Sequence, residues 1–195
     1  MILYNCSKEH GFHRYFVRVD PVYFLSPFCN SPSFGIRIHS KFIAGRLVPH
    51  IPAMNVEIVK LEDSDIKILC EMLGQVSASE KFEVHHHDCV FSAKELVSGI
   101  RSILVYSFNR KGMLCGGVLT GLVAILVGGG TLEKKEACLA IWDLVADTSF
   151  NETLESLELP LIDILTGLKS NIDTEFNSLL SGLACSLSSC SKFQA

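Results

Sequence analysis

The chain of 195 residues lacks the short motifs that form the common catalytic and cofactor sites. It has no G-x-x-x-x-G-K-[ST] phosphate loop, no G-x-S-x-G nucleophile turn and no H-E-x-x-H zinc helix. The three glycines at 128–130 follow a helical pattern and have no Lys-Ser/Thr companion. They therefore indicate the end of a helix rather than a phosphate loop. We expect no enzyme activity and no cofactor.

The eight cysteines include no C-x-x-C pair, and we expect no secretory signal at the N-terminus. The opening "MILYNCSKEHGFH" becomes polar too early for a signal peptide. Most cysteines after residue 60 lie in apolar runs, where a reduced thiol acts as a small hydrophobic side chain. Because disulfides are rare in reducing compartments, we predict free thiols and a cytoplasmic or nuclear location.

Histidine and cysteine are concentrated at two places, and neither has the spacing of a metal site. Three adjacent histidines in "EVHHHDC", residues 83–89, cannot all point at one ion from a regular element. Cys6, His10 and His13 suit one helical face but lack a fourth ligand nearby. We predict no metal at either place, with a polar insertion loop at the first and a surface segment at the second.

Charged residues make up only 19% of the chain, and they are unevenly distributed. Residues 1–50 hold six Lys or Arg against two acidic residues, so the net charge of −4 leaves −8 for residues 51–195. Without a concentrated basic face, we do not expect nucleic-acid binding by the whole protein. The aromatic and basic residues near 14–16 and 34–42 leave two alternatives, a packed capping element or a contact with RNA or anionic lipid.

The N-terminal part differs in composition from the rest. The first fifty residues hold nine of the seventeen aromatic residues and four of the six prolines. "FGIRIHSKFI" alternates apolar and polar residues, which predicts a strand within 34–43, and "SPFCNSPS" around Pro27 and Pro32 predicts a loop. We predict an irregular aromatic and basic segment over residues 1–60.

Helical patterns dominate after residue 60. Asp63 or Ser64 is a candidate cap for a helix with apolar residues at helical spacing. Ser92 and Glu95 have the spacing of a capping box, and Thr131 can cap a third helix alone.

An internal repeat connects these helices. Residues 121–129 align with 160–168 at a shift of 39, and 137–144 align with 176–183 at the same shift. Residues 96–103 occupy the equivalent place 41 positions upstream. A period near 40 with paired helices is typical of armadillo and HEAT proteins.

The segment "GLVAILVGGGTLEKKEACLAIWDLVAD" resembles an armadillo repeat, with a helix, a Gly-rich turn, a charged helix start and a small-apolar pattern. The resemblance is best over 112–148, weaker over 152–187 and weakest over 93–109. HEAT repeats are the near alternative. It implies a mainly α-helical fold, a short armadillo-like α-solenoid of about three repeats over 61–190. The exposed ends of so short a solenoid leave self-association open.

The resemblance implies a non-catalytic module that binds a protein partner in a groove lined by the third helix of each repeat. No Trp or Asn stands at the matching ladder positions, so import-receptor function is not implied. Without a U-box-like segment, the likeness to repeats of plant U-box ubiquitin ligases implies no ligase activity either. Trp142 is expected to pack against a neighbouring helix instead. The groove positions are Ser98, Ser102, Leu139, Asp143 and Ser178.

An uncharged run over 113–130 raises the alternative of a small integral membrane protein with a span there. Gly117 and Gly121 even have the small-residue spacing of membrane helix contacts. The three glycines should end the helix at residue 127, which leaves about 22 Å against a bilayer core of about 30 Å. We therefore predict no membrane span, and a buried helix of the central repeat.

Overall fold

The fold is mainly α-helical across the residues that the structure describes. The structure is a computed structural model, and it describes residues 21–50, 56–78, 83–87, 89–145, 161–168 and 173–191. These residues form nine α-helices, two short 3-10 turns and one antiparallel hairpin. The elements are α1 (Pro21–Cys29), α2 (Phe34–Leu47), α3 (Asp63–Ala78), β1 (Glu83–His86), β2 (Cys89–Ser92), α4 (Ala93–Leu104), α5 (Ser107–Cys115), α6 (Val118–Gly128), α7 (Thr131–Val145), α8 (Leu161–Gly167) and α9 (Thr174–Ser191).

The helices pack in successive pairs. Helix α1 packs on α2, α3 on α4, α6 on α7 and α8 on α9, while the short α5 contacts α3, α4 and α6. The second members of the pairs lie side by side in the order α2, α4, α7, α9, and α3 packs against α6 among the first members. One buried apolar cluster extends from Leu25 in α1 to Leu183 in α9. The predicted mainly α class is confirmed.

The strand predicted within 34–43 is wrong, because this stretch is helix α2. The hydroxyl of Ser33 accepts a hydrogen bond from the Ile36 amide and caps the helix. Burial follows helical spacing, since Phe34, Ile38 and Phe42 are buried while Ile36 is 48% exposed. An alternation over so few residues does not distinguish the two-residue period of a strand from the 3.6-residue period of a helix. The predicted loop shrinks to residues 30–33, because α1 continues through Pro27.

The prediction of an irregular N-terminal segment is wrong for residues 21–47, which are helical and belong to the common core. A buried ion pair joins this part to α3, where the Arg37 guanidinium contacts the Asp65 carboxylate at 2.7 Å and 3.0 Å. Lys41 approaches the same carboxylate at 3.8 Å and also donates to the Lys60 carbonyl. The core therefore continues across residue 60.

The predicted polar loop at 83–89 is a hairpin instead. Glu83 pairs with Ser92 and His86 with Cys89, and His87 occupies the turn with a φ of 48°. Phe91 is fully buried and stacks on the His39 ring at 4.3 Å. Phe91 thus covers α2 while strand β1 packs against α3, and the histidine run forms one strand end and its turn.

The uncharged stretch forms two helices rather than one. Gly117, with a φ of 87°, separates α5 from α6. The Gly129 amide donates to the Ile125 carbonyl at 2.8 Å and closes α6, so the prediction that the glycines end this helix is confirmed. Thr131 is not the cap of the next helix. It is the first helical residue, and the carbonyl of Gly130 accepts the first hydrogen bond of α7.

Within the described residues, no single helix is long and apolar enough to cross a membrane. Helices α5 and α6 reach that length and apolar content only as a pair, and they are bent by 80° at their break. A straight helix over residues 113–130 is therefore not formed.

The glycines of this stretch bring helices into close contact. A Cβ added at Gly112 would come within 2.5 Å of Ile66, and one added at Gly121 within 2.7 Å of Leu73. Both contacts are made with α3, so the small residues admit a neighbouring helix of the same chain.

Candidate partner-binding face

The residues predicted to face a partner lie on three neighbouring helices. Ser98 and Ser102 lie on α4, Leu139 and Asp143 on α7, and Ser178 on α9. Ser178 is exposed and the other four are half-buried. Because α4 packs against α7 and α7 against α9, their accessible sides adjoin. We call this surface the polar face, formed by the exposed and half-buried residues of 94–105, 131–143 and 173–185.

The two serines of α4 are engaged with α2 rather than available to a ligand. The Ser102 hydroxyl lies 2.6 Å from the Gly99 carbonyl and 3.2 Å from the Phe42 carbonyl, both of which can accept its proton. Arg46 donates to the Ser98 hydroxyl at 3.3 Å. These side chains therefore hold α2 against α4, and they line the edge of the polar face without being its main contacts.

Asp143 is bound to a cation of the neighbouring helix. Arg101 of α4 donates from Nε to the Asp143 carboxylate at 3.0 Å. The same guanidinium lies 3.7 Å from the Glu136 carboxylate, one heptad earlier on α7. We call these three residues the Arg101 cluster. The predicted site residue Asp143 thus has a structural role in joining α4 to α7.

A second cluster joins α7 to α9. The Lys135 ammonium lies 2.7 Å from the Glu175 carboxylate and 3.2 Å from the Asp173 carboxylate. The hydrogen bond with Glu175, followed by that with Asp173, raises the pKa of Lys135. Asp173 also accepts the Phe176 amide at 2.9 Å and so caps α9, and this backbone hydrogen bond is the main reason that its pKa is lowered. We call these residues the Lys135 cluster.

Apolar side chains lie between the charged ones. Leu132 is 56% exposed on α7 and Val105 is 52% exposed just after α4. Trp142 packs on α9 at Gly182, where an added Cβ would come within 2.2 Å of the indole. The prediction that Trp142 packs against a neighbouring helix is confirmed.

Of the six charged residues that define the two clusters, only Asp143 was singled out from the sequence. Arg101 and Lys135 contact residues about forty positions away, so their partners become visible only when the order of helices is known. The one available signal was the heptad spacing of Glu136 and Asp143, which places two carboxylates on the same side of α7.

The described part of the chain contains neither an assembled metal site nor a disulfide. No group of three His, Cys, Asp or Glu residues there is placed to hold a metal ion. The six cysteines of the described part whose side chains are placed form no disulfide, and burial raises the pKa of three of them, Cys29, Cys70 and Cys138, to about 11. The Cys6, His10 and His13 group lies outside the described residues.

An open cleft of about 520 Å³ lies between α3 and α5, away from the polar face. The half-buried Cys70 and the exposed Cys115 line it together with Ile66, Lys67 and Glu71. The cleft is lined by two thiols and by acidic and basic side chains, and none of its lining residues is a histidine.

Comparison of the chain with models of protein families, with curated proteins and with solved structures finds no match.

Proposed function

We propose that this chain is a short armadillo-type helical solenoid that binds a protein partner on the polar face and carries out no catalysis. The observation that supports this proposal is the side-by-side order of α2, α4, α7 and α9, each the second member of a helix pair. The succession of α5, α6 and α7, with a sharp break at Gly117 between the first two, supports the three-helix armadillo type over the two-helix one. HEAT repeats, with two helices each, are the near alternative.

Stacking of this kind leaves one layer of second helices with an accessible side. On this chain that side carries Leu132, Leu139 and the two charged clusters, a mixture of apolar and polar groups that suits a protein surface. The N-terminal pair α1–α2 extends the stack by one pair beyond the three repeats inferred from the sequence. Cytoplasmic or nuclear location and self-association remain predictions.

The proposal is tested by quantitative capture of binding proteins from cells with two matched variants. Leu132→Glu places a charge on the polar face at an exposed position, so it should remove specific partners without unfolding the chain. Val127→Glu makes the same change on α6, at a side chain that is 49% exposed and outside the polar face. We expect partners lost with Leu132→Glu and retained with Val127→Glu. The same set of proteins captured by both variants contradicts a site on this face.

A further inference from the structure

Helix α1 carries an aromatic surface on the side that is turned away from the core. Tyr23, Phe24 and Phe28 are 76%, 60% and 53% exposed, and Pro27 is exposed as well. Residues four apart lie on the same side of a helix, so these four residues form one continuous surface, which we call the α1 aromatic face. We propose that this face binds a second copy of the chain and forms a two-fold symmetric dimer.

The other side of α1 is already packed in the core. Leu25 and Cys29 are 6% and 0% exposed and belong to the buried apolar cluster. Through this side the helix packs on α2 and on the 3-10 turn Val56–Val59. The terminal unit of a helical stack ordinarily has a polar outer face, because that face is in contact with water. The outer side of α1 is aromatic instead, and aromatic residues are enriched in protein interfaces.

The absence of charge on α1 favours a second copy over other occupants. In a two-fold dimer each patch meets itself, so a charged residue near the axis would lie opposite an identical charge. Helix α1 contains neither an acidic nor a basic residue, so its face meets itself without repulsion. An anionic lipid surface is bound through exposed cations, whereas Arg37 and Lys41 of α2 are engaged with Asp65.

The exposed area of the three rings suits a reversible dimer. An aromatic side chain buries about 150–250 Å² when it is covered, so the exposed fractions of these rings correspond to roughly 300–500 Å² on each copy. A stable interface buries about 800 Å² on each partner, and weak or transient ones bury less than about 600 Å². The rings alone therefore account for at least half of a small interface.

Two of the rings are already arranged against each other. Tyr23 and Phe24 meet edge to face, with ring centroids 5.6 Å apart and an interplanar angle of 85°. This is a preferred geometry for an aromatic pair, and it limits the rotation of both side chains. Less side-chain entropy is therefore lost when the face is covered.

The dimer surface is separate from the proposed partner site. The α1 aromatic face shares no residue with the polar face, which lies on α4, α7 and α9. A dimer formed through α1 would thus present two polar faces, and a partner with two binding segments would gain affinity from both. This consequence rests on the proposed function, whereas the dimer itself does not.

Sedimentation velocity of the chain under reducing conditions, at about 1 to 200 μM, tests the dimer. We expect the sedimentation coefficient to rise with concentration toward the value for two chains. Phe24→Asp and Phe28→Asp each place a charge opposite its own copy, so each should raise the dissociation constant by about tenfold or more. The matched controls Val127→Glu on α6 and Leu132→Glu on the polar face alter residues that are 49% and 56% exposed, and should leave it within about twofold. Circular dichroism verifies that each variant is folded.

Photo-crosslinking identifies the surface that the face meets. The chain is prepared with p-benzoylphenylalanine in place of Phe28 and mixed with an isotope-labelled copy, so that links between copies are recognised by mass. Illumination should join position 28 to residues 21–30 of the second copy. Links from position 28 to α7 or α9 of the second copy would show a head-to-tail contact and overturn the two-fold arrangement.

A chain that stays monomeric over the whole concentration range overturns the proposal, and so does a dimer that both Phe24→Asp and Phe28→Asp leave intact. Flotation with vesicles of phosphatidylcholine and phosphatidylserine, in a ratio of about 4:1, tests the lipid alternative. A monomeric chain that floats with these vesicles, and no longer does so with Phe24→Asp, assigns the face to lipid and overturns the dimer. Partner capture with Leu132→Glu is a separate readout, so failure of the dimer and failure of the proposed function are distinguishable.

Discussion

The buried ion pair between Arg37 and Asp65 offers a direct test of how the N-terminal helices are held. We predict that Asp65→Asn lowers the free energy of unfolding by about 3 kcal/mol. The substitution keeps the shape of the side chain, so its effect reports the lost charge rather than a cavity.

This magnitude follows from the exposure of the three charged groups. The Asp65 side chain is fully buried, and the side chains of Arg37 and Lys41 are only 15% and 5% exposed. Removing one member of a buried ion pair costs about 3–5 kcal/mol because the remaining charge has no partner. Partial access of Arg37 to water places the loss at the lower end. Burial already lowers the pKa of Lys41, and Asp65 opposes that shift, so the substitution should lower it further.

Urea unfolding followed by far-ultraviolet circular dichroism measures the loss, with Asp63→Asn as the matched control. Asp63 lies exposed in the first turn of the same helix, so its substitution should cost less than about 1 kcal/mol. A double-mutant cycle with Arg37→Ala should give a coupling energy above about 1 kcal/mol. If Asp65→Asn costs no more than the control, α2 is not fastened to α3 as described, and the reasoning fails.

Three further predictions concern packing, pH and the membrane alternative. Gly182→Val forces a side chain into the Trp142 ring, so it should destabilise the chain by about 1–3 kcal/mol in urea unfolding. At Gly74 an added Cβ meets nothing within 4 Å, so Gly74→Ala should stabilise α3 by about 0.5–1 kcal/mol in the same assay. The lowered pKa of Asp173 means that its carboxylate stabilises the fold above its ordinary pKa of 3.8 and loses this effect as the pH falls through the lowered value. Because Asn can still cap the helix, the difference in melting temperature between the wild type and Asp173→Asn reports the carboxylate charge, and it should be largest near neutral pH and vanish in acid; a constant difference would contradict a stabilising role of that charge. Carbonate extraction of a tagged protein should leave it in the supernatant, and recovery in the membrane pellet would favour the span at 113–130.

The helices after residue 60 were predictable because local signals agreed with one another. Ser92 and Glu95 form the capping box that their spacing predicted, and the glycines at 128–130 end α6 as expected. Apolar residues at helical spacing supplied the rest. Local chemistry is sufficient where the cap, the period and the terminating residue indicate the same element.

The N-terminal helices were not predictable because tertiary contacts determine them. In α2 the apolar residues Phe34, Ile38 and Phe42 follow helical spacing, but prolines and a short alternation nearby pointed to irregular structure and a strand. Lys41 and Asp65 are charged residues inside the core, and a hydrophobic pattern predicts charged residues to lie on the surface. Only the ion pair between distant helices explains their burial.

Only part of the candidate face could be predicted from the sequence. The repeat alignment placed Leu139, Asp143 and Ser178 on the accessible sides of their helices, because equivalent positions of a repeat share an orientation. It could not show that Asp143 is held by Arg101, 42 positions away, or that Lys135 contacts Glu175, 40 positions away. Pairing across helices depends on register, which a single sequence leaves undetermined.

The most direct test of partner binding on the polar face is hydrogen exchange with and without a partner recovered by capture. We predict that binding slows amide exchange in the accessible turns of α4, α7 and α9, over residues 94–105, 131–143 and 174–185. Helices α3 and α6, in the other layer, should exchange at unchanged rates. Protection confined to α3 and α6, with none on α7, would contradict the account.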